Sequence, residues 1–238
     1  MNKILITGGS RGIGADMVRF FSEKGCKVAF TYKNSVEKAL TLAEETGSLA
    51  IRADSAIEEE VISAVNQARE FLGDIDVLIN NSAISSFSLF TDITSDEWNN
   101  IFSVNVNGAF YFTKAVLREM IKKKQGRIIN ISSMWGISGS SCEVHYSATK
   151  AALIGMTKAL AKEVGPSGIT VNCIAPGVIT TDMNSSLTEE AISLIVDNTP
   201  LSRLGTPRDV SNVAYFLSQE GADFITGQVF SVDGGFII

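Results

Sequence analysis

A tyrosine and a lysine four positions apart, Tyr146 and Lys150, are the side chains best suited to chemistry. On a helix this spacing places both on one face, one turn apart. A free tyrosine has a pKa of about 10, and a neighbouring ammonium favours the phenolate and lowers that pKa. The pair is therefore suited to act as a general acid or base. The same spacing also occurs on ordinary amphipathic helices.

Two polar side chains that precede this pair give it a context. Ser133 follows an apolar run predicted to be a strand, at the carboxyl edge where parallel sheets bind ligands. Its hydroxyl is suited to donate a hydrogen bond to a substrate carbonyl oxygen. Asn105 lies in a predicted helical region, where its amide is suited to hold a water linked to Lys150. The alternative for Asn105 is a plain helix-surface or capping role.

A glycine-rich turn, Gly8-Gly9-Ser10-Arg11-Gly12-Ile13-Gly14, follows the first predicted strand. Glycine allows the backbone to approach a pyrophosphate closely, and the helix that begins here offers free N–H groups to phosphate. The spacing is Gly-x-x-x-Gly-x-Gly, which differs from the common Gly-x-Gly-x-x-Gly fingerprint. We expect a dinucleotide site here, with a glycine turn that binds nothing as the alternative.

The residues after the second and third predicted strands bear on the choice of dinucleotide. NAD sites often carry a carboxylate at the end of the second strand, which bonds the ribose hydroxyls. This strand ends at Thr31-Tyr32-Lys33-Asn34, without a carboxylate before Glu37. Lys33 and Arg11 either neutralise a 2′-phosphate, which favours NADP, or are solvated surface cations. Asp54 follows the third strand and either contacts adenine or caps the next helix.

Short apolar runs rich in β-branched residues alternate with amphipathic stretches along the chain. Strands are predicted at residues 3–7, 27–32, 49–53, 77–80, 127–131, 170–175 and 228–232. Helices are predicted at residues 12–24, 36–46, 58–72, 95–124, 145–164 and 207–218. This alternation predicts an α/β fold, a doubly wound parallel sheet of about seven strands flanked by helices, in one domain over residues 1–238.

One irregular region, residues 177–200, follows the sixth predicted strand and contains a short possible helix at 188–196. A long excursion after a strand often covers a binding site. We therefore predict a mobile substrate lid here, with a plain surface insertion as the alternative.

Composition and charge narrow the function classes. The net charge is −6, whereas nucleic-acid-binding domains are usually basic, so neither DNA nor RNA is an expected partner. No apolar run approaches the ~18 residues of a membrane-spanning helix, and no signal peptide is visible, so a cytoplasmic protein is expected. Cys26, Cys142 and Cys173 are far apart and odd in number, which predicts small buried thiols without a disulfide framework or metal site.

Together these motifs resemble the short-chain dehydrogenase/reductase family over nearly the whole chain. The matching residues are 7–14, Asn80-Asn81-Ser82-Ala83, Asn105, Ser133, Tyr146 with Lys150, and Pro176-Gly177. The resemblance implies a Rossmann fold, an NADP(H) cofactor and a catalytic tetrad of Asn105, Ser133, Tyr146 and Lys150. Ala83 departs from the family, which usually has glycine there, and its methyl group bears on the local geometry near the cofactor.

In the mechanism that this resemblance implies, hydride passes from the reduced nicotinamide to a carbonyl carbon while Tyr146 protonates the developing alkoxide. Ser133 holds that oxygen, and Lys150 binds the cofactor ribose and lowers the pKa of the tyrosine. The expected cofactor-binding residues are Tyr146, Lys150, Gly8, Ser10, Arg11, Gly12, Ile13, Gly14, Lys33, Asp54, Asn81, Ser82, Ala83, Pro176, Gly177, Ile179 and Thr181.

Within the family, residues 126–133, 166–172 and 225–235 are most similar to 3-oxoacyl-(acyl carrier protein) reductases. This similarity implies the reduction of a 3-oxoacyl thioester to a 3-hydroxyacyl thioester, a step of fatty acid biosynthesis. The stretch Cys142-Glu143-Val144-His145 departs from the Gly-Gln-Ala-Asn common in those reductases. Together with Met134-Trp135-Gly136, it resembles a smaller branch that reduces a 5-aminopentanone modification on elongation factor P.

The expected substrate-binding residues are Ser133, Trp135, Glu143 and Tyr146. Glu143 is suited to pair with a substrate amine and Trp135 to wall the pocket, unless Glu143 points to solvent. His145 is the only histidine, but adjacent helical residues face different ways, so no catalytic role is predicted for it.

Two helical segments with apolar stripes, residues 98–124 and 145–164, are predicted to bury one face each. The resemblance implies that they pack between subunits of a homotetramer or homodimer, with the carboxyl-terminal strand forming a second interface. One rival function is a catalytically silent module that senses NADP, against which the intact Ser133, Tyr146 and Lys150 argue. Another is alcohol oxidation on a sugar or steroid, because the reaction is reversible.

Overall fold

The computed structural model describes residues 2–182 and 188–237 as one α/β domain built on a seven-stranded parallel sheet. The strands are β1 Lys3–Ile6, β2 Lys27–Tyr32, β3 Leu49–Arg52, β4 Val77–Asn80, β5 Gly126–Ile131, β6 Ile169–Pro176 and β7 Val229–Val232. Their spatial order is β3-β2-β1-β4-β5-β6-β7, so the chain reverses its direction of winding between β1 and β4. The predicted doubly wound fold is confirmed, and its ligand crevice is expected at this reversal.

Helices cover both faces of the sheet. They are α1 Gly12–Glu23, α2 Val36–Thr46, α3 Glu58–Leu72, α4 Ser95–Phe102, α5 Gly108–Lys123, α6 Trp135–Ser138, α7 Val144–Val164, α8 Glu189–Asp197 and α9 Pro207–Leu217. Two differ from the sequence prediction. The single helix predicted at 95–124 is divided by a π-helical segment, Ser103–Asn107, and the short α6 was not predicted.

The strands bury side chains on both faces, which explains their nearly continuous apolar sequences. In β1, Ile4 and Ile6 contribute to the core beneath α1, α2 and α9, whereas Leu5 contributes to the core beneath α3 and α5. Since successive side chains of a strand point to opposite faces, one short apolar strand supplies both cores. The two cores together hold the carboxyl edge of the sheet in place.

The predicted lid region is only partly described. Its first part packs back on the domain through a bridge between Ile179 and Gly205, and Thr180 N donates to Gly205 O at 2.9 Å. Its later part contains α8, which begins and ends one residue beyond the short helix predicted there. Residues 183–187 of the region lie outside the described residues, so the mobile lid stays a prediction.

Three further expectations concern thiols, metals and membranes. All three cysteines are free, but only Cys173 is buried; Cys26 and Cys142 are half-buried, which corrects the expectation of buried thiols. Both lie in connections next to helices, where the packing is incomplete. Among the described residues, no cluster of three or more His, Cys, Asp or Glu side chains is suited to a metal ion. No helix in the described part is long and apolar enough to cross a membrane.

Candidate active site

Helix α7 places Tyr146 and Lys150 side by side at the carboxyl edge of β5. Both are buried, with exposed fractions of 9% and 2%. The Nζ atom of Lys150 donates a hydrogen bond to the carbonyl oxygen of Ile131, the last residue of β5, at 2.9 Å. The same atom lies 5.5 Å from the centre of the Tyr146 ring. The predicted pair is therefore present, and it is docked against the strand end.

The pKa values of this pair differ from the sequence expectation. Burial raises the pKa of Tyr146 well above its usual range; the charge of Glu143 adds to the rise, and a hydrogen bond with Ser133 opposes it. Burial also lowers the pKa of Lys150 to about 8. The expected depression of the tyrosine pKa by Lys150 is not found, because the ammonium faces the ring and a carbonyl group. The phenol is instead held protonated.

Ser133 lies two residues beyond the end of β5, which directs its hydroxyl toward α7. It is buried, and its hydroxyl lies close enough to the Tyr146 hydroxyl to oppose the rise in the pKa of that phenol. Its oxygen also accepts a hydrogen bond from the backbone N–H of Trp135 at 3.1 Å. The two hydroxyl groups therefore converge, and a single substrate oxygen can bond to both.

Asn105 lies in the π-helical segment between α4 and α5, and its amide ties two other elements together. Its Oδ1 accepts from Ile84 N at 2.9 Å, and its Nδ2 donates to Ile84 O at 2.9 Å and to Thr149 Oγ1 at 3.1 Å. Thr149 in turn donates to Tyr146 O at 2.7 Å. The amide therefore holds the loop after β4 against α7, and one lone pair of Oδ1 remains for the water expected from the sequence.

The glycine turn packs tightly against the segment that follows β4. Gly8 and Gly12 have positive φ angles of 66° and 54°. A Cβ atom on Gly14 would lie 2.2 Å from Gly8 O and 2.7 Å from Asn81 Nδ2. Asn81 Nδ2 donates to the carbonyl oxygens of Thr7 and Gly8, each at 3.0 Å. These contacts explain why the turn needs glycine at these positions.

Loops from three strands meet at this turn. The Thr7 hydroxyl accepts hydrogen bonds from the backbone N–H groups of Asn81 and Ser82, both at 2.9 Å. These bonds fix the backbone directly before Ala83. On the other side, the Thr181 methyl group lies 3.3 Å from the position of a Cβ on Gly12. The loops after β1, β4 and β6 therefore border one crevice.

Other predicted cofactor residues lie along the same edge. Pro176 ends β6, and its carbonyl oxygen accepts from Met134 N at 2.9 Å, beside Ser133. Gly177 follows, and a Cβ there would lie 2.7 Å from the Asp233 backbone. Ile179 is buried, whereas Ser10 and Ile13 are half-buried at the start of α1. The carboxyl edge thus brings these residues to one side of the sheet.

Lys33 and Asp54 form an ion pair that the sequence did not reveal. Their Nζ and Oδ2 atoms are 2.6 Å apart. Asp54 also accepts from Ala56 N at 3.0 Å, but Ala56 lies before α3, whose N-cap is Ile57 and has no side-chain cap, so the capping alternative is wrong. Burial raises the pKa of Asp54, but the bonds from Lys33 and Ala56 outweigh it and leave this pKa lowered. Arg11 is exposed at the start of α1, so it is the better placed of the two predicted cations.

The predicted substrate residues border the tyrosine. Glu143 is half-buried, and burial raises the pKa of its carboxyl group, although a hydrogen bond from Ser140 opposes this. Its charge reaches Tyr146, since it contributes to the raised pKa of that phenol. Trp135 packs edge-on against Phe236, with 5.9 Å between ring centroids. Phe236 carries no sequence signal and was missed.

His145 is buried and contacts a residue that the sequence did not single out. Its Nε2 lies 2.5 Å from Ser86 Oγ, while its Nδ1 has no hydrogen-bond partner in the described part of the chain. The ring therefore reaches the loop after β4. No local pattern marks Ser86, because the contact spans 59 positions.

The family model described as enoyl-(acyl carrier protein) reductase matches residues 8–237. A solved double mutant of a Serratia marcescens short-chain dehydrogenase/reductase is 33% identical, with a TM-score of 0.93 over 99% of this chain and 97% of that one. The chain belongs to the short-chain dehydrogenase/reductase family. As a short-chain dehydrogenase/reductase, it is an oxidoreductase that acts on carbonyl or hydroxyl groups, and the family uses a nicotinamide cofactor.

This short-chain dehydrogenase/reductase also has curated relatives with a common name. The 3-oxoacyl-(acyl carrier protein) reductases of Chlamydia trachomatis and Aquifex aeolicus are each 40% identical over 97% of this chain and 95% of theirs. A solved 3-oxoacyl-(acyl carrier protein) reductase from Brucella melitensis is 33% identical, with a TM-score of 0.94 over 100% of this chain and 92% of that one. The resemblance predicted from the motifs is confirmed.

Proposed function

We propose that this protein is an NADPH-dependent carbonyl reductase in which Tyr146 donates a proton to the substrate oxygen. The observation that carries the proposal is the placement of the Tyr146 phenol next to the Ser133 hydroxyl and beside the buried Lys150. The phenol is protonated at neutral pH, which is the state that a proton donor requires. Ser133 orients the oxygen that receives the proton, and Lys150 faces the ring. When bound, the reduced nicotinamide supplies the hydride.

The glycine turn fits a dinucleotide. A Cβ on Gly14 would fill the space between Gly8 and Asn81, so the backbone there is bare and closely packed. Helix α1 begins beside it with Arg11 as its first flanking residue, and no side chain caps its free N–H groups. Uncapped N–H groups at a helix start are suited to phosphate oxygens. We therefore assign the pyrophosphate to this turn.

The preference for NADPH follows from charge. β2 is not directly followed by a carboxylate, and the exposed cations near its end include Arg11, Lys33 and Arg52, whose Nε donates to the Lys33 carbonyl oxygen at 3.3 Å. Since Lys33 is paired with Asp54, we assign the main 2′-phosphate contact to Arg11. In Arg11→Gln the KM for NADPH should rise while the KM for NADH stays constant, and Lys24→Gln serves as the control. An equal change in both KM values would contradict this assignment.

The first proposed substrate is a 3-oxoacyl thioester, which would be reduced to the 3-hydroxyacyl thioester. The support is the similarity to several 3-oxoacyl-(acyl carrier protein) reductases over nearly the whole chain. Those relatives are named for a substrate attached to acyl carrier protein, and we propose that the acyl chain is presented to this protein in the same way.

The charges around the site favour a second candidate, a ketone that carries an amine. Residues 81–113, 132–149 and 177–202 follow the carboxyl ends of β4, β5 and β6 and contain no lysine or arginine, although Lys114, Lys150 and Arg203 come directly after them and Lys150 is buried at the site. Their acidic residues are Asp92, Asp96, Glu97, Glu143, Asp182, Glu189, Glu190 and Asp197. An acidic border attracts cations and disfavours an acidic carrier. The 5-aminopentanone modification on elongation factor P has the required amine.

A comparison of two substrates tests both candidates. We would measure kcat/KM for an acetoacetyl thioester and for 5-amino-2-pentanone, in the wild type, in Glu143→Gln and in the control Glu163→Gln, whose exposed residue lies outside these stretches. Preference for the amine that is lost only in Glu143→Gln supports the second candidate. Preference for the thioester that no variant changes supports the first. NADPH binding without turnover of any ketone would instead support the NADP-sensing module.

Assembly and location are also proposals. Apolar side chains are exposed on α5 at Phe110 and Ile121, and Phe224 is fully exposed before β7. They support a homotetramer or homodimer, which light scattering would test against a monomer mass. A cytoplasmic location and the mobile lid at 177–200 stay predictions from the sequence.

A further inference from the structure

The chain after β4 is bonded to its surroundings at alternate residues, and we call residues 84–88 the strap. At its start, both backbone polar groups of Ile84 bond to Asn105 at 2.9 Å. At its end, Ser88 N donates to Cys142 O at 2.8 Å. The strap therefore connects the π-helical segment with the residues that precede α7.

The middle bond of the strap joins Ser86 to His145. The imidazole is 0% exposed, and its Nε2 lies 2.5 Å from Ser86 Oγ. Within the described residues, Nδ1 has no partner, so Ser86 supplies the ring's hydrogen bond there. A buried polar ring without any partner is destabilised. The ring therefore favours the strap position in which Ser86 reaches it.

The middle of the strap lies at the surface. Ser85, Ser86 and Phe87 are all exposed, and Phe87 is 79% exposed. Leu89, directly after the strap, is 61% exposed. The strap thus carries an exposed apolar edge, while the Ser86 hydroxyl reaches the buried imidazole of His145.

The ends of the strap lie at the two sides of the proposed reaction site. It starts directly after Ala83, next to the backbone assigned to the cofactor. It ends at the carbonyl of Cys142, which precedes Glu143 in the chain. Between them, its middle bond reaches the residue adjacent to Tyr146. The strap therefore connects the backbone assigned to the cofactor with the residues directly before Tyr146.

We infer that His145 is a positioning residue, which through Ser86 holds the strap and so sets one wall of the substrate entrance. The inference rests on the proposed carbonyl reductase function. Loss of the bond frees the strap, so substrate binding weakens, whereas proton donation by Tyr146 continues.

Ser86→Ala removes the bond from the exposed side and leaves the core intact. We expect its KM for the better of the two ketones to rise about three- to tenfold, the range that follows from losing one hydrogen bond. The kcat and the Kd for NADPH should stay unchanged. Ser86→Thr, which keeps the hydroxyl, should restore the KM. Ser85→Ala is the control, since the neighbouring Ser85 is also exposed and its hydroxyl has no hydrogen-bond partner among the described residues.

Hydrogen exchange provides a readout that does not depend on activity. The amides of residues 84–90 should exchange faster in Ser86→Ala than in Ser85→Ala. His145→Leu should increase the exchange of these amides as Ser86→Ala does. In the double variant, the added Ser86→Ala should cause no further increase, because the bond is already lost. If Ser86→Ala and Ser85→Ala have the same exchange rates and the same KM, the inference about His145 is wrong, whereas the proposed ketone reduction is unaffected. If the wild type reduces no ketone, the proposed function is wrong, and exchange alone decides whether His145 holds the strap.

Discussion

The ammonium of Lys150 lies over the Tyr146 ring, 5.5 Å from its centre. Its hydrogen bond goes to the carbonyl oxygen of Ile131 at 2.9 Å. Burial moves the two pKa values in opposite directions, upward for the phenol and down to about 8 for the amine. Both shifts make the charged form of each group less favourable inside the domain. The phenol is therefore protonated at neutral pH, the state that a proton donor requires.

Removal of that proton donor should stop the reaction. We expect Tyr146→Phe to lower kcat for ketone reduction by about 10²- to 10⁴-fold, the usual contribution of a general acid. NADPH binding should persist, because the ring and its packing remain. NADPH absorbance measures the rate and fluorescence titration measures binding. Tyr111→Phe on α5 is the control, and full turnover in Tyr146→Phe would refute the assigned acid.

The lowered pKa of Lys150 predicts how stability depends on pH. This pKa falls from 10.5 to about 8 on folding, so between these values the unfolded chain binds more protons and stability rises with pH. Below pH 8 the cost of burying the charged Lys150 lowers the free energy of unfolding by about 3 kcal/mol, at ~1.4 kcal/mol per pKa unit. This cost decreases as the pH rises above 8.

Urea unfolding of Lys150→Met at two pH values measures this effect. Relative to the wild type, the free energy of unfolding of the variant should fall by about 2–3 kcal/mol between pH ~7 and ~10. The exposed Lys158 of the same helix provides the control, Lys158→Met, which should show no such trend. A difference that is constant with pH would show that the amine titrates normally.

The charge of Glu143 should influence the pH at which activity is lost. Because it contributes to the raised pKa of Tyr146, its removal should lower that pKa. In Glu143→Gln the alkaline limb of the kcat/KM profile for ketone reduction should therefore move to lower pH. Glu190→Gln makes the same change in net charge on α8 and should leave the limb in place. An unchanged or upward-shifted limb in Glu143→Gln would contradict the coupling.

Two glycines should respond to alanine in opposite ways. In Gly14→Ala the new Cβ meets Gly8 O at 2.2 Å, so we expect destabilisation of about 1–3 kcal/mol and loss of NADPH binding. In Gly155→Ala no atom lies within 4 Å, and alanine favours the interior of α7 by about 0.5–1 kcal/mol. Urea unfolding and NADPH titration check both. Equal stabilities would show that the turn tolerates a side chain.

The helix predicted at 95–124 shows where sequence reasoning fails. Its residues have helical patterns throughout, but the structure widens the chain into a π segment at Ser103–Asn107. Asn105 then reaches Ile84 and Thr149, which lie 21 and 44 positions away in the chain. Such bonds form only after the strands and α7 are assembled, so no local pattern predicts them.

The parts of this protein that depend on short spacings were determined by its sequence alone. The alternation of strands and helices, the glycine turn, and Tyr146 one turn before Lys150 are local patterns, and they predicted the fold, the family and the reacting pair. Tertiary structure alone decided the contacts between distant residues, such as Lys33 with Asp54 and Ser86 with His145. It also decided the direction of the phenol's pKa, because burial and the positions of neighbouring charges exist only in the folded chain.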